Sequence, residues 1–228
     1  MFKYLELDEN EPVRTRYGRA VAQHTINETD EIKDIVPWDK FKLVVDIGAG
    51  NGQVGAHLTK HHKNLHIINQ DMENVIADRI KELSLAPAEE QASFREVDFE
   101  PQDYYAPQTR TDADAYLIRF VLHNNNDENC VKILKAVVPA LAANKNGEHA
   151  RLLVAERVMP EWDTDKSAQL KQQRIEDMAM LISCSGKQRS VAELEALLKK
   201  ADPALEIDQI YCGKDVFQVL SVRYAQAP

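Results

Sequence analysis

LVVDIGAGNGQVG, residues 43–55, is the stretch from which the fold is read. Leu43, Val44, Val45 and Ile47 make a short apolar run of the kind that becomes a parallel strand buried on both faces. The run breaks into Gly48, Gly50, Gly52 and Gly55, a loop that turns sharply and leaves backbone amides open to a ligand. A helix is expected from about Gln53 to Lys60. A strand, a glycine loop and a helix form the first unit of a nucleotide-binding α/β sheet.

Charge decides which nucleotide. Residues 50–55 match the dinucleotide pattern GxGxxG, a weak signal alone, and in such sites the loop receives a pyrophosphate. Asp46 stands at the mouth of this loop, where it would repel a diphosphate. The next two expected strands also end in acids, Asp71 after HIINQ and Asp98 after SFREV. Any one of these acids could be unrelated to a ligand. Three together suit a cofactor with no phosphate, a cationic end and ribose hydroxyls. S-adenosylmethionine fits that description better than a nicotinamide dinucleotide.

The rest of the chain agrees with an α/β class. Two helices are expected between Asp8 and Asp39, closed by Pro37 and Trp38. Strands are expected at Leu65–Asn69, Ser93–Val97, Ala113–Leu122 and Ala150–Val158, with helices at about Glu73–Leu83 and Glu128–Leu141. Pro87 and its neighbours read as a loop. A long helix is expected over Lys166–Ile182, and Ser190 caps the next one with Glu193 at the capping-box position. Leu205–Tyr211 and Asp215–Val222 read as an antiparallel hairpin around Gly213 and Lys214. The expected fold is a doubly wound, Rossmann-like sheet ending in that hairpin. Residues 1–40 form a helical lead-in to the cofactor-binding domain at 41–228.

Size and composition bound the function. A chain of 228 residues, 44% hydrophobic and 29% charged, is ordinary for one globular domain. Its formal charge of −9 disfavours nucleic acid or an anionic membrane as partner. No apolar run approaches a membrane span, and MFKYLELDENEP is no signal peptide. Cys130, Cys184 and Cys212 are odd in number and widely spaced, so a cytoplasmic protein without disulfides is expected. His61, His62 and His66 cluster without metal-ligand spacing, and no metal is expected.

With these residues placed, the chain resembles the plant and fungal caffeate-type O-methyltransferases, nearest to their fungal, sterigmatocystin-type branch. VVDIGAGNG is similar to the family's glycine loop, INQDM to its ribose-binding segment and REVDFE to its adenine-binding segment. The resemblance implies class I methyltransferase architecture, with Asp71 at the ribose, Met72 beside the adenosine, and Asp98 and Phe99 at the adenine. LIRFVLHNNNDENC resembles the catalytic stretch, which implies His123 as base and Arg119 as a cofactor contact. VAERVMP implies Glu156 as the residue orienting the base. SGKQRS resembles the segment carrying a second such glutamate, where this chain has Gln188. Asn124 and Asn125 stand where the family has Asp and Trp. Val21 matches an apolar residue lining the acceptor pocket.

A histidine titrating near neutrality is a natural base for a phenol, whose pKa is about 10. His24 reads equally as pocket wall or helix packing, and Met178 and Met180 read as core or as wall of an aromatic pocket. Trp162 reads as lid or surface. The expected acceptor is a small aromatic or polyketide-like molecule. Two other classes stay open: a non-methylating enzyme using the bound sulfonium, such as a pericyclase, and a non-catalytic regulatory homologue. The family's N-terminal dimerisation domain is expected to be absent, which favours a monomer with an open pocket.

Overall fold

The computed structural model describes residues 2–5, 7–145, 147–160, 168–214 and 216–225. Its elements run α1 (Phe2–Leu5), α2 (Glu11–His24), α3 (Ile26–Ile35), β1 (Leu43–Ile47), α4 (Gln53–His61), β2 (His66–Asp71), α5 (Glu73–Leu85), α6 (Ala88–Ser93) and β3 (Val97–Pro101). They continue β4 (Ala115–Arg119), α7 (Asp127–Ala142), β5 (Arg151–Arg157), α8 (Ala168–Cys184), α9 (Val191–Ala201), β6 (Leu205–Cys212) and β7 (Phe217–Tyr224). Trp162 lies outside the described residues.

The seven strands of the described residues form one sheet in the order β3-β2-β1-β4-β5-β7-β6. The first five are parallel, and β7 pairs antiparallel with both β5 and β6. This is the doubly wound sheet with a closing hairpin that the sequence predicts. The apolar strands run without alternation because both faces are covered. Val45, Ile47, Tyr116, Ile118 and Val154 pack on one face with Ile133 and Leu134 of α7 and Leu194 and Leu198 of α9. Val44, Leu117, Leu153 and Val219 pack on the other with Ile32 of α3 and Leu58 of α4. The order reverses between β1 and β4, which opens a crevice at their carboxyl ends.

One strand differs from expectation. The segment after Pro87 folds as α6, so β3 begins only at Val97 and ends at Pro101. Phe94 falls in the connection, stacked on Phe99 and covered by the Arg79 guanidinium. The acid at the end of β3 is therefore not Asp98, which lies near its start, level with Ile68. Pro87 marks the start of a short helix rather than a loop.

The lead-in helices are tied to the sheet by Trp38. Its ring is almost fully buried, and its Nε1–H donates to the Ile32 carbonyl at 2.8 Å, ending α3 against β1. Trp38→Ala should lower unfolding free energy by roughly 3–5 kcal/mol, the usual cost of emptying a large aromatic site. Trp38→Phe, which keeps an aromatic ring but loses the second ring and the Nε1–H to the Ile32 carbonyl, should cost less than the alanine variant and at least the roughly 1–3 kcal/mol of an unpaired buried carbonyl. Urea unfolding of the two variants beside the parent measures both.

Candidate functional site

The crevice at the β1/β4 reversal opens into a cavity of about 450 Å³. Its floor is the glycine loop: Gly48, Ala49 and Gly50 line it with Asp46 and Asp71. Gly48 has φ +75°, and a Cβ there would meet Val121 at 2.8 Å, so no larger residue fits between β1 and the turn after β4. Asp71, the last residue of β2, accepts the Gly50 N–H at 2.8 Å on one oxygen and the Met72 N–H at 2.8 Å on the other. The carboxylate thus holds the loop in shape while its remaining lone pairs face the cavity. Burial pushes the Asp71 pKa up, opposed by those two amides.

Asp46 and Arg119 form the charged end. Asp46 is buried in the cavity wall, and burial raises its pKa to about 7 despite the opposing charge of Arg119. Arg119 ends β4; burial pushes its pKa down to about 10 against the pull of Asp46. One guanidinium nitrogen donates to Thr29 Oγ1 at 2.9 Å and to the Thr25 carbonyl at 3.2 Å. Its Nε–H is buried with no acceptor among the described residues. A buried donor without a partner beside a buried acid suits a zwitterion, with carboxylate toward Arg119 and ammonium toward Asp46. Asp71 with its spare lone pairs suits a ribose diol, so the residues present fit S-adenosylmethionine.

Other expected residues divide. Val21 and Met72 line the cavity. Phe99 packs against Gly52 behind the loop. Asp98 does not come to the site: its carboxylate is 2.9 Å from His66 Nε2 at the far end of the sheet, because β3 runs on past it. His24 is exposed and outside the cavity, its Nε2 3.2 Å from an Arg157 nitrogen. Met178 and Met180 also lie outside it. Met178 is 62% exposed and belongs to an exposed apolar stripe of α8 with Ile175, Leu181 and Ile182, none of which lines the cavity.

His123 sits beside the cavity rather than in its wall. The chain leaves β4 through Phe120, whose φ of +54° is rare for a bulky residue. Phe120 lines the cavity, and its ring stacks on the His123 imidazole at a centroid distance of 5.4 Å. His123 Nδ1 lies 3.0 Å from Glu156 Oε2, with the histidine side chain 18% exposed. Glu156 Oε1 accepts the backbone N–H groups of Leu122 and His123 at 3.0 and 3.3 Å. Among the described residues Oε2 accepts no hydrogen bond, and its nearest charged partner is the His123 Nδ1 ion-pair contact. One oxygen therefore fixes the turn, and the other is left for the imidazole.

Gln188 does not join this pair. Its backbone N–H donates to Asp177 at 2.7 Å and its Nε2 reaches Glu176 at 3.5 Å, so it is occupied with α8. The Asn pair replaces its missing neighbours locally. Asn124 Nδ2 donates to the Phe120 carbonyl at 3.0 Å and Asn125 Nδ2 to the Val121 carbonyl at 2.9 Å, while Asn125 Oδ1 accepts the Tyr105 hydroxyl at 2.8 Å. The sequence reading missed Tyr17, Thr25, Tyr104 and Phe120 as cavity residues. Only the Tyr104–Tyr105 doublet after β3 carried a signal.

Asp46 gives the cofactor-free protein a pH signature. Its folded pKa of about 7 exceeds the ordinary 3.8, so between these values the folded chain keeps a proton that the unfolded chain loses. Stability should be full below about pH 4, fall as pH rises toward about 7 and level off above. Asp46→Asn should flatten that slope, narrowing any deficit against the parent as pH rises. Parallel melting curves of the two proteins from about pH 5 to 8, without cofactor, would show instead that Asp46 is ionised throughout.

The O-methyltransferase domain family matches residues 1–202. The 6-hydroxytryprostatin B O-methyltransferase of Neosartorya fischeri is 30% identical over 209 residues, which are 91% of this chain and 47% of that protein. O-methyltransferase sol2 of Alternaria solani is 32% identical over 212 residues, 92% of this chain and 47% of that protein. The chain spans about half the length of these curated relatives. Human N-acetylserotonin methyltransferase in complex with SAM superposes with a TM-score of 0.79 over 98% of this chain and 59% of that one, a likeness of fold at 18% identity. By its sequence from residue 1 to residue 202, the chain belongs to the O-methyltransferase domain family.

Proposed function

We propose that this chain is the methyl-transferring domain of an S-adenosylmethionine-dependent O-methyltransferase of the fungal, caffeate-like branch. Its acceptor is a phenolic or polyketide-like hydroxyl of a secondary metabolite, and His123 is the general base. The observation that carries this reading is the imidazole held 3.0 Å from a buried carboxylate oxygen, one aromatic ring away from the cavity. The fungal O-methyltransferases among the relatives support the substrate class.

Bound S-adenosylmethionine supplies a methyl group activated by its sulfonium. The chain supplies position and proton transfer. Asp71 would hold the ribose hydroxyls and Met72 the adenosine, and Gly48 and Gly50 would let the cofactor approach the backbone. Asp46 and Arg119 take the amino-acid end. The acceptor ring lies between Phe120 and the Tyr17–Val21 face of α2, its hydroxyl reaching past the Phe120 edge to His123. The hydroxyl proton passes to Nε2, the nitrogen turned from Glu156, and Glu156 Oε2 stabilises the imidazolium at Nδ1. Gln188 contributes no charge, so Glu156 carries that role alone.

A second reading has one observation in its favour. Phe120 stands between His123 and the cavity, as would suit a cofactor-binding protein that transfers nothing. Methyl transfer from labelled cofactor across a panel of phenols separates the two. Under the first reading, His123→Ala leaves cofactor affinity unchanged and lowers turnover by roughly 10²–10⁴, the range for a positioned base. Asp71→Ala weakens cofactor binding by about 1–3 kcal/mol, read by calorimetry. Tight cofactor binding with no transfer to any phenol would give the second reading the field.

A further inference from the structure

The turn that carries His123 is gripped from two sides, and only one grip is Glu156. Arg189 supplies the other. Its side chain is 2% exposed, in the connection between α8 and α9. Nη1 donates to the Leu122 carbonyl at 2.9 Å and Nη2 to the Asn125 carbonyl at 2.7 Å. These two carbonyls bracket His123 and Asn124. The same guanidinium holds Asp127, at the start of α7, through Nε at 3.0 Å and Nη2 at 2.8 Å. A further bond from Nη1 to the Lys187 carbonyl at 3.1 Å fixes the head in place.

The backbone around Arg189 is anchored to the strand that carries Glu156. Arg189 pairs with Val158 in an isolated parallel bridge, and the Met159 N–H donates to the Arg189 carbonyl at 2.9 Å. Gly186, three residues earlier, lies against the His123–Asn124 peptide, where a Cβ would collide with the His123 carbonyl. The α8–α9 connection and the end of β5 thus form one jaw around residues 122–125. Glu156 takes the amides of the turn, and Arg189 takes its carbonyls.

We propose that Arg189 is a positioning residue that sets the His123 imidazole against Glu156 by clamping the two carbonyls flanking it. The inference rests on His123 being the base. A guanidinium suits the task because its planar fork reaches several acceptors in fixed directions, whereas an ammonium is a point charge on a flexible stem. Loss of the clamp moves the turn, whose Asn124 edges the cavity, and leaves in place the glycine loop, Asp46 and Asp71 that would hold the cofactor.

The test uses the full chain with Arg189→Lys and Arg189→Ala. Hydrogen exchange of the Leu122 and His123 amides, which donate to Glu156, should accelerate at least ~10-fold in both variants, with the amides of β1 and β2 unchanged. Calorimetric affinity for S-adenosylmethionine should stay within about twofold, while kcat for an accepted phenol falls about 10- to 100-fold, as a small misplacement of a reacting group costs. Guanidinium ion should restore part of that loss to Arg189→Ala and none to Arg189→Lys. In a His123→Ala background, Arg189→Ala should slow turnover no further. Parent-like exchange at Leu122 and His123 in Arg189→Lys would overturn the proposal, and this readout needs neither turnover nor the alanine variant to fold. An equal rate loss with and without His123 would overturn it as well. Full activity of His123→Ala alone would remove the base instead, leaving the exchange result to judge the clamp.

Discussion

The left-handed backbone of Phe120 is the constraint on which the site depends. A parallel strand that simply continued would carry His123 away along the sheet. At φ +54° the chain turns back within one residue, and Leu122–Asn124 folds as a short 3₁₀ segment over the end of β5. Such a conformation costs on the order of 1–3 kcal/mol for a non-glycine residue and persists only where the surroundings over-determine it. Here they do. The Phe120 N–H donates to the Ala155 carbonyl at 3.1 Å, and its carbonyl accepts Asn124 Nδ2. Its ring meets Phe217 edge-on at 5.8 Å and lies under the Arg119 guanidinium at 4.5 Å. The residue that bends the chain is also the partition between cavity and imidazole.

Charge is distributed across that partition by burial. On the cavity side, Asp46 and Arg119 are both buried, and each is driven toward its neutral form although they are opposite in sign. Two groups held in this way are poised for a ligand that brings its own opposite charges. On the imidazole side the carboxylate of Glu156 stays close to a single ring nitrogen.

The fold was legible because its signals are local. Strand, glycine loop and helix follow one another within residues 43–61, and the capping box at Ser190 and Glu193 closes in both directions as read. The error at β3 came from the same locality. Pro87 suggests a loop, yet it precedes a helix that uses up the residues read as strand, and Asp98 is thereby moved from the end of β3 toward its start. The Asp71 loop and the His123–Glu156 pair were legible through resemblance. Phe120 as partition was not, since nothing in LIRFVLHNN announces a left-handed phenylalanine. Nor was Arg189, because a buried arginine satisfied by main-chain carbonyls looks in sequence like any surface cation. Met178 and His24 failed for the converse reason: apolar or polar character at a helix position does not say which face is covered.

Arg157 shows how the Glu156 carboxylate is kept apart from the cation beside it in sequence. It follows Glu156 directly and would be the nearest cation to neutralise it. Its guanidinium is instead drawn to Glu28 of α3 at 2.7 Å and to Glu176 of α8 at 2.9 Å. Successive residues of a strand point to opposite faces, and β5 uses that alternation to send the two charges apart. Gln188 belongs to this second group through its bond to Glu176. A glutamate at position 188 would set a further negative charge against Glu176, whose ion-pair partner among the described residues, Arg157, is already shared with Glu28. The amide at 188 donates where a carboxylate would repel, and the ion pair of Arg157 with Glu28 and Glu176 keeps that cation on the opposite side of β5 from Glu156.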